Sequence, residues 1–378
     1  MLRFLCFSLL ATYSLSSIAA PGYIDPEPMA QQIKTSVGEV DSSSPTQVPI
    51  ITWGGELVSI FANGNSLTTQ ENSLMAQAGL NIKLVKQDVF QEQVKDYMSG
   101  RSPYLRCTIG MCNQALDIIN ADPRTRPVII HQLTWSRGGD TLVAKGKAMQ
   151  VKDLKGKTIA VQAYGPHVDF MTTVLEQAGL SSNDVTLKWL PELTQHPDSP
   201  PQALTEPDID AAFMIIPDAF PITSGRRVGT GEKDSIAGAR MIISTMYARR
   251  VIADVYVVRS DYLEQYPQEV KKFVSALTRA GQQVPKLMKD LSSDEKMQLV
   301  SAAGDILLGD KEAIPDIEEM FYDAQFVTVE DNINFLQNAD YPHNADVLNK
   351  RVQQSFNELG LISTQADIQK AQWNYSEL

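Results

Sequence analysis

The sequence predicts an α/β fold divided into two lobes, each a mostly parallel sheet flanked by helices. From Val48 onward, short apolar runs of strand length alternate with amphipathic stretches of helix length, which is the order typical of a parallel sheet covered on both faces. The same order restarts near Thr158. Because the chain has 378 residues, it is also long enough to build two cores.

The predicted elements of the first half begin with a strand over residues 48–53, which ends in Gly54 and Gly55. An amphipathic helix follows and ends at Gly79, since glycine accepts the left-handed conformation found at helix ends. The next predicted strands in this half cover residues 82–85 and 128–135.

The predicted second half repeats this pattern with a strand over residues 158–162, a helix over 168–177 and a strand over 185–190. The tetrapeptide Gln-Ala-Gly-Leu occurs at 77–80 and again at 177–180, each time before a predicted strand, which favours two similar βα units. The remaining predicted strands cover residues 209–216 and 255–259. Beyond residue 261, apolar stripes at helical spacing predict packing helices with no cofactor role.

The first nineteen residues predict a signal peptide. Arg3 precedes an apolar run over residues 4–15, and small residues follow. Cleavage after Ala19 is preferred, with cleavage after Ala20 or an uncleaved anchor helix as alternatives. The run is too short to span a bilayer, which needs roughly 20 apolar residues. Cys6 lacks the small residues expected before a lipidated cysteine, so we expect a free periplasmic protein.

Residues 20–47 are rich in proline and serine and poor in large apolar side chains. This composition predicts a flexible arm.

The net charge of −12 and the absence of a Lys/Arg tract exclude nucleic acid and anionic lipid as expected partners. No later stretch is apolar enough for stable membrane insertion. Cys107 and Cys112 could form a local disulfide or remain as two buried thiols. No histidine pair accompanies them, so we expect no metal, and no motif indicates a cofactor.

Four segments carry a resemblance to a known family. They are residues 53–55, 153–161, 208–212 and 252–259, and they occur in a familiar order. Together they resemble the periplasmic solute-binding proteins of ABC transporters, in the nitrate, sulfonate and taurine class, whose wider family includes binders of thiamine precursors. The resemblance covers roughly residues 48–290.

The resemblance implies a type II periplasmic binding fold. Two segments, near residues 138–144 and 250–256, would then cross between the lobes. The first lobe would hold residues 48–138 together with 254–378, and residues 139–253 would form the second. The helices after residue 290 exceed what this pattern requires.

A cleft between two such lobes collects the carboxyl ends of strands and the amino ends of helices, where polar ligands are favoured. Ten residues in loops of this kind are the predicted ligand-binding residues. They are Trp53, Gly54, Gly55, Thr108, Trp135, Ser136, Tyr164, Gly165, His167 and Asp218.

Several of these residues allow a structural interpretation as well. Trp53 could lie in the core of a tight turn, Thr108 could cap a helix, and His167 could be an ordinary helix residue. Asp218 could bind an ammonium group, in which case the solute would be cationic or zwitterionic. Aromatic side chains favour an organic solute over a plain inorganic anion.

The predicted function is capture of a small organic solute and its delivery to the permease of an ABC-type importer by a monomer. One alternative is an enzyme on the same fold that acts on a pyrimidine or thiamine precursor. Another is an interaction protein of the cell envelope without a cleft ligand. The chain lacks the nucleophile elbow, the zinc-protease motif and the dinucleotide-binding fingerprint, which favours the binding protein.

Overall fold

The computed structural model describes residues 20–42, 45–225, 227–290 and 293–378. The predicted signal peptide, including Cys6, lies outside these residues. The strands are β1 (Thr46–Ile50), β2 (Ile82–Lys86), β3 (Tyr104–Thr108), β4 (Pro127–Ser136), β5 (Asp140–Ala144), β6 (Thr158–Gln162), β7 (Thr186–Leu190), β8 (Ala211–Ile215), β9 (Arg240–Ser244), β10 (Ala253–Arg259), β11 (Ala324–Phe326) and β12 (Gln369–Lys370).

The helices alternate with these strands in the first two thirds of the chain and dominate the last third. They are α1 (Met29–Gln32), α2 (Leu57–Ala62), α3 (Leu74–Gln77), α4 (Phe90–Ser99), α5 (Ile109–Ile119), α6 (His167–Gln177), α7 (Pro200–Ala203), α8 (Ile216–Ile222), α9 (Ser260–Gln265), α10 (Pro267–Leu287), α11 (Asp294–Ala303), α12 (Ile314–Asp323), α13 (Val329–Gln337) and α14 (Ala345–Glu358). Within the described part of the chain, no helix combines the length and apolarity needed to cross a bilayer.

The strands form two five-stranded sheets and one separate parallel pair within the described ranges. In the first sheet, β10 lies between β3 and β4 and runs antiparallel to both, while β11 and β12 pair with β4. The separate pair, β1 and β2, lies beside β3. The second sheet has the order β7, β6, β8, β5 and β9.

The α/β fold class is confirmed, but the sheets are mixed where a mostly parallel pairing was expected. In the second sheet β6 runs parallel to β7 and β8, whereas β5 runs antiparallel to β8 and β9. The chain passes directly from β4 to β5 and from β9 to β10 between the two sheets. A strand that enters a sheet in this way needs no helical crossover, so it can run against its neighbours. The sequence analysis did not predict strands β3, β5, β9, β11 and β12.

The described residues of the predicted flexible arm, 20–42 and 45–47, are packed along both sheets. Met29 is fully buried against α5. The first half of the segment pairs with Trp189 in β7 and with the Tyr164 hydroxyl. Further along, Arg259 of β10 donates a hydrogen bond to the Gly38 carbonyl at 3.1 Å. A few apolar anchors and satisfied backbone groups are therefore enough to order a segment of this composition.

The C-terminal extension contacts both sheets as well. The Met320 carbonyl of α12 packs directly on the backbone of Gly54, and β11 completes one edge of the first sheet. On α14, Arg351 donates to both carboxylate oxygens of Asp169 in α6, at 2.9 and 3.0 Å. The helices with no assigned role in the sequence analysis thus brace the turn after β1 and link the first sheet to a helix of the second.

Gly54→Ala should destabilise the protein, because a Cβ atom at this position would overlap the Met320 carbonyl. Relief of that overlap requires backbone movement, and overpacking of this kind costs about 1–3 kcal/mol. Urea unfolding measures the loss. The matched control is Gly281→Ala in the interior of α10, where nothing lies near the new methyl group and a gain of about 0.5–1 kcal/mol is expected. Equal stability of the two variants would contradict the assigned packing.

Candidate functional site

A cavity lies between the two sheets, where the ends of their strands face each other. Its volume is about 30 Å³, so the space is narrow in this structure. From the side of the first sheet it is lined mainly by Thr52, Trp53, Asp88, Thr108, Ser136 and Asp254. From the side of the second sheet it is lined by Asp140, Gln162, Pro166, Leu193 and Ile215.

Strand ends account for most of this lining. Thr52 and Trp53 follow β1, Asp88 follows β2, Gln162 is the last residue of β6 and Ile215 is the last of β8. The carboxyl ends of parallel strands in α/β proteins converge in this way, and ligands bind in the crevice outside them. The arrangement is that of a ligand cleft.

Trp53 forms one wall of the cavity and is held in place from two sides. Its indole Nε1 donates to the Thr134 hydroxyl at 3.0 Å, and its ring packs on the backbone of Gly139, where a Cβ atom would overlap it. Thr134 donates in turn to Asp254 at 2.7 Å. The indole therefore has a fixed orientation beside a cavity carboxylate.

Arg106 lies beneath the cavity and is fully buried. Its Nε donates to Glu56 at 2.5 Å and its Nη1 donates to Asp254 at 2.9 Å. Burial raises the pKa of Glu56 and of Asp254, and the charge of Arg106 acts against both shifts. Burial also acts to lower the pKa of Arg106, but the two carboxylates outweigh it and the net shift is upward. The sequence analysis missed this triad, although a lone arginine inside the apolar strand β3 is a signal for it.

Two buried polar contacts lie near the segments that pass between the sheets, one made by Asp140 and the other by Thr245. Asp140 Oδ1 lies 2.7 Å from His167 Nε2. The Thr245 hydroxyl accepts from the backbone N–H of Gly138 at 2.8 Å and lies 2.7 Å from the Ser136 hydroxyl. One buried hydroxyl thus connects the end of β4, the turn before β5 and the segment after β9.

Three of the ten predicted ligand-binding residues line the cavity, namely Trp53, Thr108 and Ser136. Thr108 also caps α5, because its hydroxyl accepts from the Met111 N–H at 3.1 Å. The capping role is therefore present in the structure, and the ligand-binding role of Thr108 stays a prediction that its place in the cavity lining allows.

The structure places Trp135 away from the cavity. Its ring packs edge-on against Phe335 and His343, whereas the next residue, Ser136, lines the cavity. Successive side chains of a strand point to opposite faces, so both residues cannot reach the same site. Loop position predicted the strand end correctly, but it did not predict which face carried the tryptophan.

Four further predicted residues serve packing or backbone contacts. Gly54 packs on α12, and Gly55 packs on Thr134. The Tyr164 hydroxyl donates to the Glu27 carbonyl at 2.6 Å and so binds the N-terminal segment. Gly165 packs against the Gln162 side chain, which itself lines the cavity.

The last two predicted residues lie behind or beside the cavity. His167 is fully buried and contacts Asp140, which lines the cavity. Asp218 lies in a separate surface groove and accepts a hydrogen bond from Thr194 at 2.9 Å. Asp218 was predicted to bind ligand because it follows a strand. In the structure the first turn of α8 directs its side chain away from the cleft.

Cys107 and Cys112 form a disulfide with their Cα atoms 5.8 Å apart. It links the end of β3 to the first turn of α5, next to Thr108. No cluster of three potential metal ligands occurs among the residues that the structure describes.

Residues 141–286 match the model of the family described as NMT1/THI5 like. The structure is similar to that of the periplasmic aliphatic sulphonate-binding protein SsuA of Escherichia coli, with a TM-score of 0.60 and 14% identity over 86% of this chain and 91% of the other. No curated protein matches the sequence.

Two further solved structures extend this comparison. One is the Candida albicans CA3427 gene product, described as having the generic periplasmic binding protein fold, with a TM-score of 0.55 and 12% identity over 86% of this chain and 93% of the other. The other is the desulfurization enzyme DSZB, with a TM-score of 0.50 and 16% identity over 85% of this chain and 95% of the other. The chain has the periplasmic-binding-protein fold that the sequence resemblance implied.

Asp218→Asn should stabilise the protein more at pH 7.5 than at pH 4.5. Burial raises the pKa of Asp218 to about 6, while the Thr194 hydrogen bond and nearby His167 act the other way. The ionised carboxylate is therefore disfavoured in the folded state, and wild-type stability declines as the pH rises from about 4 to 6. Asparagine lacks this decline, so its relative advantage grows by about 2 kcal/mol across that range.

Urea unfolding at the two pH values measures this growth. The control is Asp208→Asn, an exposed position shortly before β8, which should change stability by less than about 0.5 kcal/mol at either pH. An advantage of Asp218→Asn that did not change with pH would contradict the buried carboxylate.

Proposed function

We propose that the protein is an exported solute-binding protein, which captures a small organic solute in the cavity between its sheets and delivers it to an ABC-type importer. The cavity itself carries the proposal, because polar strand ends from both sheets line a single space. Two mobile lobes, residues 48–138 with 254–378 and residues 139–253, would close around the solute. Periplasmic location, a monomeric state and recognition by the permease belong to the same proposal.

The comparisons support this function by analogy of fold. SsuA is named for binding aliphatic sulphonates in the periplasm, and the family model that matches residues 141–286 covers the whole second sheet except one residue of β5. Because one fold carries many activities, the site has to support the function independently. Here it does so through a fixed indole, backbone at strand ends and several buried polar groups around one cavity.

The geometry of the connections suits closure of the two lobes. Apart from the N-terminal segment, two short segments of the described chain pass between the sheets, over residues 137–139 and 245–252. Gly138, in the first of them, has a positive φ of 124°. A few residues at element ends can absorb a hinge rotation. The Thr245 hydroxyl, which contacts both segments, would keep them in register during that motion.

An enzymatic function is the alternative, since DSZB shares the fold. The cavity lining among the described residues includes one serine, Ser136, whose hydroxyl is paired with Thr245 at 2.7 Å. The histidine nearest to the lining, His167, contacts Asp140 through Nε2. A nucleophile within hydrogen-bond reach of a base is the usual sign of covalent catalysis, and these contacts favour binding with no covalent step.

Trp53→Leu should weaken solute binding, whereas Trp135→Leu should lower stability and leave affinity within about twofold. Only Trp53 lines the cavity, and loss of a central aromatic contact commonly costs more than about 1 kcal/mol, or roughly tenfold in affinity. A thermal-shift screen against sulfonates, nitrate, amino acids, polyamines and pyrimidines would first identify a solute. Calorimetry with that solute then compares the two variants.

Small-angle scattering with and without the identified solute tests closure directly. A decrease in the radius of gyration on binding is expected for two closing lobes. A solute that bound without any compaction, or that was chemically converted, would contradict the proposed function.

A further inference from the structure

Two side-chain oxygen atoms in the cavity wall accept no hydrogen bond from the described residues, and one of them is fully buried. One is Gln162 Oε1, on a residue that is 4% exposed. The amide nitrogen of the same side chain donates to the Pro191 carbonyl at 3.3 Å, which fixes the oxygen as the free acceptor. The other is Asp140 Oδ2, which makes no hydrogen bond within the described part of the chain, whereas Oδ1 contacts His167. Asp140 as a whole is 4% exposed. Buried acceptors of this kind need a donor.

The charged side chains around the cavity are mainly acidic, so they favour a positively charged group. Three carboxylates line it, those of Asp88, Asp140 and Asp254. No lysine or arginine occurs in the described lining. The permanent cations in contact with the lining are Lys86, 3.6 Å from Asp88, and Arg106, which Asp254 shares with Glu56. With Glu56 included, four carboxyl groups face two permanent cations, so acidic groups outnumber basic ones around the cavity.

The helix ends that face the cavity do not offset this excess of acidic groups. A helix amino end carries at most about half a positive charge. Pro166, which precedes α6, has no N–H to offer, and the Met111 N–H in the first turn of α5 is already bonded to Thr108. An anionic group in the cavity would therefore lie beside more negative charge than the helix ends and nearby cations can offset.

We infer that the solute carries a cationic nitrogen group with N–H donors, an ammonium or an amidinium, and that Asp140 and Gln162 receive it. Such a group satisfies both free oxygens at once and offsets the excess negative charge. A cation is also attracted to an indole ring, and Trp53 lines the same cavity. This inference rests on the proposed function and names the class of solute.

Two trios of nearly equal shape test the charge preference. One consists of acetamidine, acetamide and acetate, and the other of benzamidine, benzamide and benzoate. Within each trio the charge changes from +1 to 0 to −1 at neutral pH while the size stays almost constant. Calorimetry at low ionic strength should give at least tenfold tighter binding of the amidine than of the amide in one or both trios, and no measurable binding of the carboxylate.

Asp140→Asn tests the assigned residue. Asparagine keeps the shape and an acceptor for His167 but removes the charge, so amidine affinity should fall at least tenfold. The control Asp208→Asn removes an exposed carboxylate of the same lobe outside the cavity, and affinity should stay within twofold. Unchanged melting temperatures would show that both variants are folded.

Several results would overturn the inference. These are an amide or a carboxylate that binds as tightly as its amidine, an unchanged amidine affinity in Asp140→Asn, or no binding by any member of either trio. Scattering separates these results from failure of the proposed function. If a neutral or anionic solute binds and compacts the protein, the solute class is wrong and the function stands. If no solute of the broader screen compacts it, both fail.

Discussion

The arrangement of the cavity depends on one buried guanidinium. Arg106 joins Glu56, in the turn after β1, to Asp254, at the start of β10, and so fixes two elements that are distant in sequence. From Asp254 a chain of hydrogen bonds runs through Thr134 to the indole of Trp53. A buried ion pair adds little net stability, but loss of one partner leaves an uncompensated charge, so the geometry is strongly specified. The same hydrogen bonds therefore hold this wall of the cavity in a fixed geometry.

Contacts outside the cavity hold the two sheets near each other without any solute. Arg351 on α14 binds the buried Asp169 of α6, and the N-terminal segment bonds both to Tyr164 and to Arg259. A solute can shift a conformational equilibrium only through its difference in affinity for the two states. Because these contacts already favour proximity, less of the binding free energy has to go into closure. Under the proposed function, the N-terminal segment and the C-terminal helices would thus influence solute affinity.

The sequence predicted the fold class because apolar side chains mark the faces of strands and helices that are buried. The alternation of apolar runs and amphipathic stretches therefore indicates alternating strands and helices. It failed where several conformations share one pattern. Strand β5 enters from the other sheet, so its direction is set by tertiary connection and not by local residues. Trp135 and Ser136 show the same limit at the site, since a one-residue difference in register moves a side chain to the opposite face. A charged residue inside an apolar strand, such as Arg106, would have indicated a buried ion pair beside the cavity, and the sequence analysis did not use this signal.

Selectivity on this fold resides in the side chains at the strand ends. Converging strands and helix amino ends by themselves favour anions, and SsuA, a structural neighbour, is named for binding sulphonates. In the present chain the strand ends around the cavity carry Asp88, Asp140 and Asp254, and the charge of a carboxylate exceeds the partial charge of a helix end. A fold that is suited to anions can therefore hold a cation, because a few carboxylates at the strand tips decide the sign of the field that the solute meets.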